Sequence, residues 1–525
     1  MTAIGTKASF CIRASTIALG ALLATPALGA VINVPGDQPT IQAGINAAVS
    51  GVDEVVVAPG TYNEIIDFSG KAITVVSSGG AGVTTIDATG VTDPGTGLPV
   101  VRFDSAEGAD SVLEGFTLSG GTGDTTFSPG SFAGGGIFIS GASPTVRACT
   151  IENNTGDVGA GAFAYQGGLT IGSCVFQNNT VVNNGGCPGL YLYESSATVS
   201  GCSFLGLSSP GDRGGALHIE SGTGSVSVSD SVFESNSSAL SGGAVWSGFS
   251  GSSLTIERCA FRDNSTPGAG GGAIFTVGNA DVRIADCEFV GNSASGAGDG
   301  GAISITNAST LVANCVFSHN ASANKGGAVV VTRDASVVNC SFAGNTAGGT
   351  GSGIAVLGQH TRVFTNCIFW GNTGGDAVAL VVTDPVGTPP VLNSSIYQGG
   401  WTGSGSDNLD VNPLFVDAAN DDLSLQAGSP AIDSADFDTY LTLYGIGLDA
   451  AGNPRTVDDP NMPDIGIGAV AYLDRGAYEF QPAVCVGDVT TQGAAIGTPG
   501  YGVPDGMTTA DDINYFVNHW LAGCP

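Results

Sequence analysis

Short runs of alternating polarity recur through the middle of the chain, each entered from a small-residue or Gly-Gly turn. They include Gly136-Ile-Phe-Ile139, Ala162-Phe-Ala-Tyr165, Gly189-Leu-Tyr-Leu192, Ala216-Leu-His-Ile219, Ala244-Val-Trp-Ser247, Ala273-Ile-Phe-Thr276 and Ala302-Ile-Ser-Ile305. Their second and fourth positions are almost always apolar and the third varies. Runs this short, bounded by glycine, predict strands with one face in a core and the other outward.

A second phrase, Cys-x-Phe-x-x-Asn, keeps step with the first. It reads in full from Cys174, Cys259, Cys287, Cys315, Cys340 and Cys367, in part from Cys149 and Cys202, and with serine for cysteine at Ser231. From Cys149 through Ser231 to Cys367 the steps are 25, 28, 29, 28, 28, 28, 25 and 27 residues. So steady a period predicts a solenoid. A repeat of this length holds three short strands and their turns, one coil of a parallel β-helix. Equivalent side chains then stack about 4.8 Å apart. The Phe and Cys positions become interior ladders, and the Asn ladder is expected at a bend, in the left-handed conformation. Eight cysteines share one ladder position, where parallel Cβ vectors stay about 4.8 Å apart against the about 3.8 Å of a relaxed bridge. They predict buried free thiols. Cys187 falls in a turn without an evident partner.

These paired phrases resemble the repeats of polymorphic outer membrane proteins and, more widely, right-handed parallel β-helix proteins of the pectin-lyase-like superfamily. Thr40-Ile-Gln-Ala-Gly-Ile-Asn-Ala-Ala48 followed by Glu54-Val-Val-Val-Ala-Pro-Gly-Thr-Tyr62 is similar to that superfamily's capping helix and first coil. Asn412-Pro-Leu-Phe-Val416, Gly428-Ser-Pro-Ala-Ile-Asp433 and Asp474-Arg-Gly-Ala-Tyr-Glu479 resemble the stretch that ends many bacterial surface β-helices. The resemblance implies an all-β, single-stranded right-handed parallel β-helix over residues 31–400, with its end and C-terminal cap over 401–482. It implies no particular activity, because the scaffold hosts many.

Residues 1–30 read as a secretory signal. Lys7 and Arg13 precede the apolar run Ile17 to Leu23, and Ala27-Leu-Gly-Ala30 offers small residues for cleavage. No later stretch is long and apolar enough to span a bilayer as a helix. The remainder carries 12 basic residues against 46 acidic ones, net −34. Such a surface repels nucleic acid and anionic membranes, and it disfavours a deep cleft for polyuronates.

After Pro482 the composition changes. Ile513, Phe516, Val517, Trp520 and Leu521 follow amphipathic-helix spacing, with Thr508 or Thr509 as N-cap and Gly523 as stop. Cys485 and Cys524 bracket the unit, and a bridge between them would staple a segment otherwise too small to hold itself together. Asp505, Gly506 and Asp512 match positions 5, 6 and 12 of an EF-hand-type calcium loop. Read that way, residues 483–525 resemble a dockerin repeat, with Asp488 as the first ligand, bound Ca²⁺, and a docking partner at the cell surface. The segment departs from that family in the insertion Thr490 to Pro504 and in having one copy. The alternative is a helix whose first turn is acidic and metal-free.

No HExxH, P-loop or GxSxG phrase is present, and the paired aspartates and Gly-His-Gly of β-helix polygalacturonases are missing. The repeat strands do suggest a binding face. Their outward third position carries Phe138, Tyr191, His218, Trp246 and Phe275, with Ala164 interrupting, and the fifth adds Gln166, Tyr193 and Glu220. Stacked rings beside polar groups suit a sugar. Exposed rings are otherwise covered, here by a turn such as Thr122 to Phe132. A catalytic version makes His218 the base, helped by Glu220, Tyr193 or Arg213. The reading is an exported, surface-displayed protein for adhesion or glycan contact, docked through its tail. The alternative is a surface-anchored polysaccharide lyase or glycoside hydrolase.

Overall fold

The computed structural model describes residues 29–482, apart from 93–96, 128–130, 221–223, 249–250, 252, 280, 307–308, 359, 375–379, 383–389 and 446. The expected signal segment (all but its last two residues), the calcium ligands Asp488, Asp505 and Asp512, and the Cys485–Cys524 bridge lie outside the described residues.

Each coil gives one strand to each of three long parallel sheets. Sheet A has 14 strands, from Val31–Val34 to Val391–Asn393. Sheet B has 13, from Gly60–Tyr62 to Ile396–Tyr397, and sheet C has 12, from Ile66–Asp67 to Leu380–Val382. A narrow sheet D of two-residue strands runs from Ser208–Ser209 to Thr373–Gly374. One representative coil runs Ile274–Val277 in C, Asp281–Ala285 in A, Glu288–Val290 in B and Ser293–Ala294 in D, and re-enters C at Ile303–Thr306. The protein is the predicted parallel β-solenoid.

The interior ladders are as expected. Phe261, Phe289 and Phe317 stand in register, with ring centroids 4.9 Å apart and planes 4° and 6° from parallel. The nine described cysteines are free and buried, Cys187 among them. Packing of identical rings in one column replaces water with dispersion contacts on both faces of each ring.

The asparagine ladder departs from expectation in its backbone. The left-handed residue is the one before each asparagine, as at Asp263 (φ 54°), Gly291 (φ 67°) and His319 (φ 52°). That frees the asparagine to point inward. Each of Asn236, Asn264, Asn292, Asn320 and Asn345 donates through Nδ2 to the Oδ1 of the next asparagine, at 2.8–3.0 Å. Leu207 occupies this slot in one coil and separates the run from Asn154 and Asn179. The Gly-Gly turns follow two constraints. Gly271 holds φ 66°, and a Cβ on Gly272 would sit 2.0 Å from the Gly301 carbonyl oxygen of the next coil.

The capping helix is α1, Ile41–Ala47, N-capped by Thr40, with Ile41, Gly44 and Ile45 buried. Residues 415–480 form a strap along the flank of the later coils. It contains the second helix, α2, Phe437–Leu443. Phe437, Tyr440 and Leu473 pack on Ala285, Ala313 and Val338, while Leu423 and Ala477 pack on Val316 and Ala343. Asn339 Nδ2 donates to the Asp474 carbonyl at 3.0 Å, and Asn366 Nδ2 to the Asp436 carbonyl at 2.9 Å. Along sheet A the flank ladder reads Gly172, Ser200, Ser229, Glu257, then Ala285, Ala313, Val338. The change from polar to apolar coincides with the start of the strap's cover. Among the described residues no helix is long and apolar enough to cross a membrane.

Candidate functional site

The outward face of sheet C gathers the aromatic residues, and register decides which. Phe138 pairs with Phe163, and Phe163 with Tyr191. The expected interruption at Ala164 is therefore absent, because Gly161, not Ala162, is the counterpart of Gly136 and Gly189. A one-residue slip exchanges the two faces of a strand, so Ala164 points inward. Six consecutive coils present Phe138, Phe163, Tyr191, His218, Trp246 and Phe275, bounded by Arg102 before and Ser304 after. The same slip corrects the neighbouring row. It is Tyr165, Tyr193 and Glu220, and Gln166 lies one position beyond it.

Most of this column is shut. Phe138 and Phe163 are each 1% exposed, His218 2%, Trp246 3% and Tyr191 8%. Phe127, from the expected covering turn, packs on Phe163 at 4.8 Å and on Tyr165 at 5.0 Å. The Arg102 guanidinium lies over Phe138 at 5.5 Å, and that of Arg213 over Trp246 at 5.1 Å. A cation over an aromatic face is attractive, so each arginine, Arg102 largely buried and Arg213 exposed, acts as a polar roof over an apolar ring.

Two parts are only partly covered. Tyr165 and Tyr193, both half-buried, stack with centroids 5.7 Å apart, with Phe127 edge-on to both, beside a Gln166 to Glu194 hydrogen bond of 2.7 Å. Farther along, a largely apolar groove of about 530 Å³ is lined by Arg213, Leu240, Trp246, Phe275 and Val277. Phe275 is half-buried there and Leu240 is exposed.

Between them sits the polar cluster that the catalytic version requires. The Tyr191 hydroxyl donates to Glu220 Oε2, and His218 Nε2 lies 3.7 Å from that oxygen. The His218 ring is sandwiched between Tyr191, 4.2 Å away, and Trp246, 4.5 Å away, and its Nδ1 contacts the Arg213 carbonyl at 3.2 Å. The Glu220 carboxyl is held below its usual range by His218 first, with Tyr191 and Arg213 adding and burial opposing. Burial, then Glu220, pushes the Tyr191 phenol well up. The structure thus brings Arg213, His218, Glu220, Tyr191 and Trp246 together, with the imidazole enclosed.

Sequence reasoning missed a second cleft, of about 740 Å³, between the strap and the coils at Asp230, Arg258 and Asp286. There Tyr444 donates to Asp286 at 2.5 Å, and burial raises the Asp286 carboxyl. Asp286 occupies the left-handed slot that Asn314, Asn339 and Asn366 fill in later coils, and that substitution was the available signal. Neither face gathers a metal-ligand set. Among the described residues that occurs only on the strap, at Asp433, Asp458 and Asp464.

A family model described as "Right handed beta helix region" matches residues 63–250, 135–309 and 273–411. The chain belongs to the right-handed β-helix family. No curated protein matches it. Three solved structures are similar to this β-helix chain. A Geobacillus virus E2 protein, ORF18, shares 16% identity over 67% of this chain and 60% of its own, with a TM-score of 0.30. Pectate lyase Pel9A shares 12% over 86% and 97%, with a TM-score of 0.32. The A-module of Azotobacter vinelandii mannuronan C-5 epimerase AlgE4 shares 15% over 67% and 94%, also at 0.32. The chain thus covers less than two thirds of the viral protein, and scores this low carry no argument about chemistry.

Proposed function

We propose that this β-helix protein is exported, displayed at a cell surface through residues 483–525, and contacts neutral glycans along the open edge of sheet C. The stacked, half-exposed pair Tyr165 and Tyr193, edged by Gln166, Glu194 and Glu220, carries this reading. Sugar rings lie on aromatic faces while their hydroxyls bond neighbouring polar groups, and the half-buried Phe275 extends the platform. The buried column of Phe138, Tyr191, His218 and Trp246 then supports the platform without touching ligand. The strongly acidic surface favours neutral over anionic sugars.

The catalytic alternative takes His218 as base with Glu220 and Arg213. Its imidazole reaches no substrate unless Tyr191 or Trp246 moves aside. Affinity electrophoresis in gels cast with neutral polysaccharides tests the binding reading. Wild-type protein should be retarded by at least one of them, and Tyr193→Ala or Phe275→Ala should weaken retention about three- to ten-fold. Absence of retardation, or retention unchanged in both variants, refutes it.

A further inference from the structure

The strap holds a group of three carboxylates, one of which, among the described residues, has a buried oxygen without a hydrogen-bond partner. Asp433 closes the phrase Gly428-Ser-Pro-Ala-Ile-Asp433, and Asp458 and Asp464 stand on a later loop. One carboxylate oxygen from each lies within 4.8 Å of the other two. Asp458 and Asp464 are exposed, whereas Asp433 is completely buried. Its Oδ2 accepts a hydrogen bond from the Asp459 backbone N–H at 3.2 Å, while its buried Oδ1 has no hydrogen-bond partner among the described residues. Among the described residues no basic side chain pairs with any of the three. Buried anionic oxygens are normally paired or metal-bound, so this arrangement is unfavourable as it stands.

We propose that Asp433, Asp458 and Asp464 form a calcium site that fastens the loop at 457–464 to the turn ending at Asp433. The donors are all hard oxygens, without histidine or cysteine, which excludes the sets preferred by zinc or copper. Calcium binds oxygen at about 2.3–2.6 Å, so two of its ligands can lie up to about 5 Å apart. Magnesium, at about 2.0–2.1 Å, requires them within about 4 Å. Oxygens all within 4.8 Å of one another are close enough to converge on one calcium ion with small side-chain adjustments, and the exposed side leaves room for its waters. The Asp433 turn is itself fixed, its N–H donating to Asp474 Oδ1 at 2.8 Å and its carbonyl accepting from Ile465 and Gly466 at 3.0 and 2.9 Å. An ion here ties a surface loop to the part of the strap that grips the coils.

Calorimetric titration of the chelator-treated full chain with CaCl₂ tests this. Asp505→Ala with Asp512→Ala first removes two of the tail's three candidate calcium ligands. That background should keep one saturable site with a Kd of about 10⁻⁴–10⁻³ M, the range of extracellular calcium modules. Adding Asp458→Asn and Asp464→Asn, both on exposed side chains, should weaken it about ten-fold or more. Saturable heat missing from the background, or affinity unchanged in the fourfold variant, overturns the proposal.

Discussion

Alanine in place of Asn292 should destabilise the coils around it by about 3–6 kcal/mol. The Asn292 amide sits mid-ladder and takes part in four interactions. Its Nδ2 donates to the Phe261 carbonyl and to Asn320 Oδ1, both at 2.9 Å. Its Oδ1 accepts from Asn264 N at 3.1 Å and from Asn264 Nδ2 at 3.0 Å. Each such bond contributes about 0.5–1.5 kcal/mol net, and a buried N–H left without an acceptor, here that of Asn264, costs about 1–3 kcal/mol. Leu207 supplies an internal comparison, since its coil folds with an apolar side chain in the same slot. Asn292→Leu should accordingly cost less than Asn292→Ala, because it strands the same donors but fills the space. A solenoid spreads the loss over neighbouring repeats rather than the whole array. Native-state hydrogen exchange, comparing residues 259–345 with residues 137–200, is therefore the suitable measurement. An alanine variant within about 0.5 kcal/mol of wild type at residues 259–345 would refute the argument that the amide ladder ties coils together.

Further tests concern the strap and the thiols. Burial, ahead of every other influence, raises the Asp474 carboxyl to about 7 and Glu479 to about 9, despite Arg455 nearby. The folded strap thus keeps protons that the unfolded chain releases near pH 4, so its stability should fall as pH rises from about 4 to about 9. Protection factors over 431–480 should show that slope, and Glu479→Gln should flatten it. A rise in protection with pH would contradict the assignment. Burial also pushes up the thiols of Cys187, Cys259, Cys287, Cys315 and Cys340. All nine described thiols are buried, so in a Cys485→Ser, Cys524→Ser background without the signal segment the native protein should resist Ellman's reagent until it is unfolded. Prompt reaction in the native state would show the ladder to be accessible.

The site was legible only in part, for a reason particular to strands. Alternation alone puts Phe138, Tyr191, His218, Trp246 and Phe275 on the outer face, and they lie there. Phe163 and Tyr165 escape that alternation because Gly159-Ala-Gly161 obscures where the strand begins, and one residue of offset inverts the faces. Exposure was the other gap. An outward side chain is open only if nothing folds back over it, and Phe127 and Arg213 reach the column from turns whose paths no periodicity encodes.

The sequence by itself determined the coil. A repeat near 28 residues, with Phe, Cys and Asn at fixed offsets, leaves one arrangement in which each ladder buries like against like, and local turn chemistry enforces it. Only the tertiary structure decided what lies against the outside of that coil. Asp286 meets Tyr444 across 158 residues of chain, and Asp433, Asp458 and Asp464 converge through loops without a repeat. Contacts within the solenoid recur every turn and so leave a periodic trace, whereas the strap makes each of its contacts once.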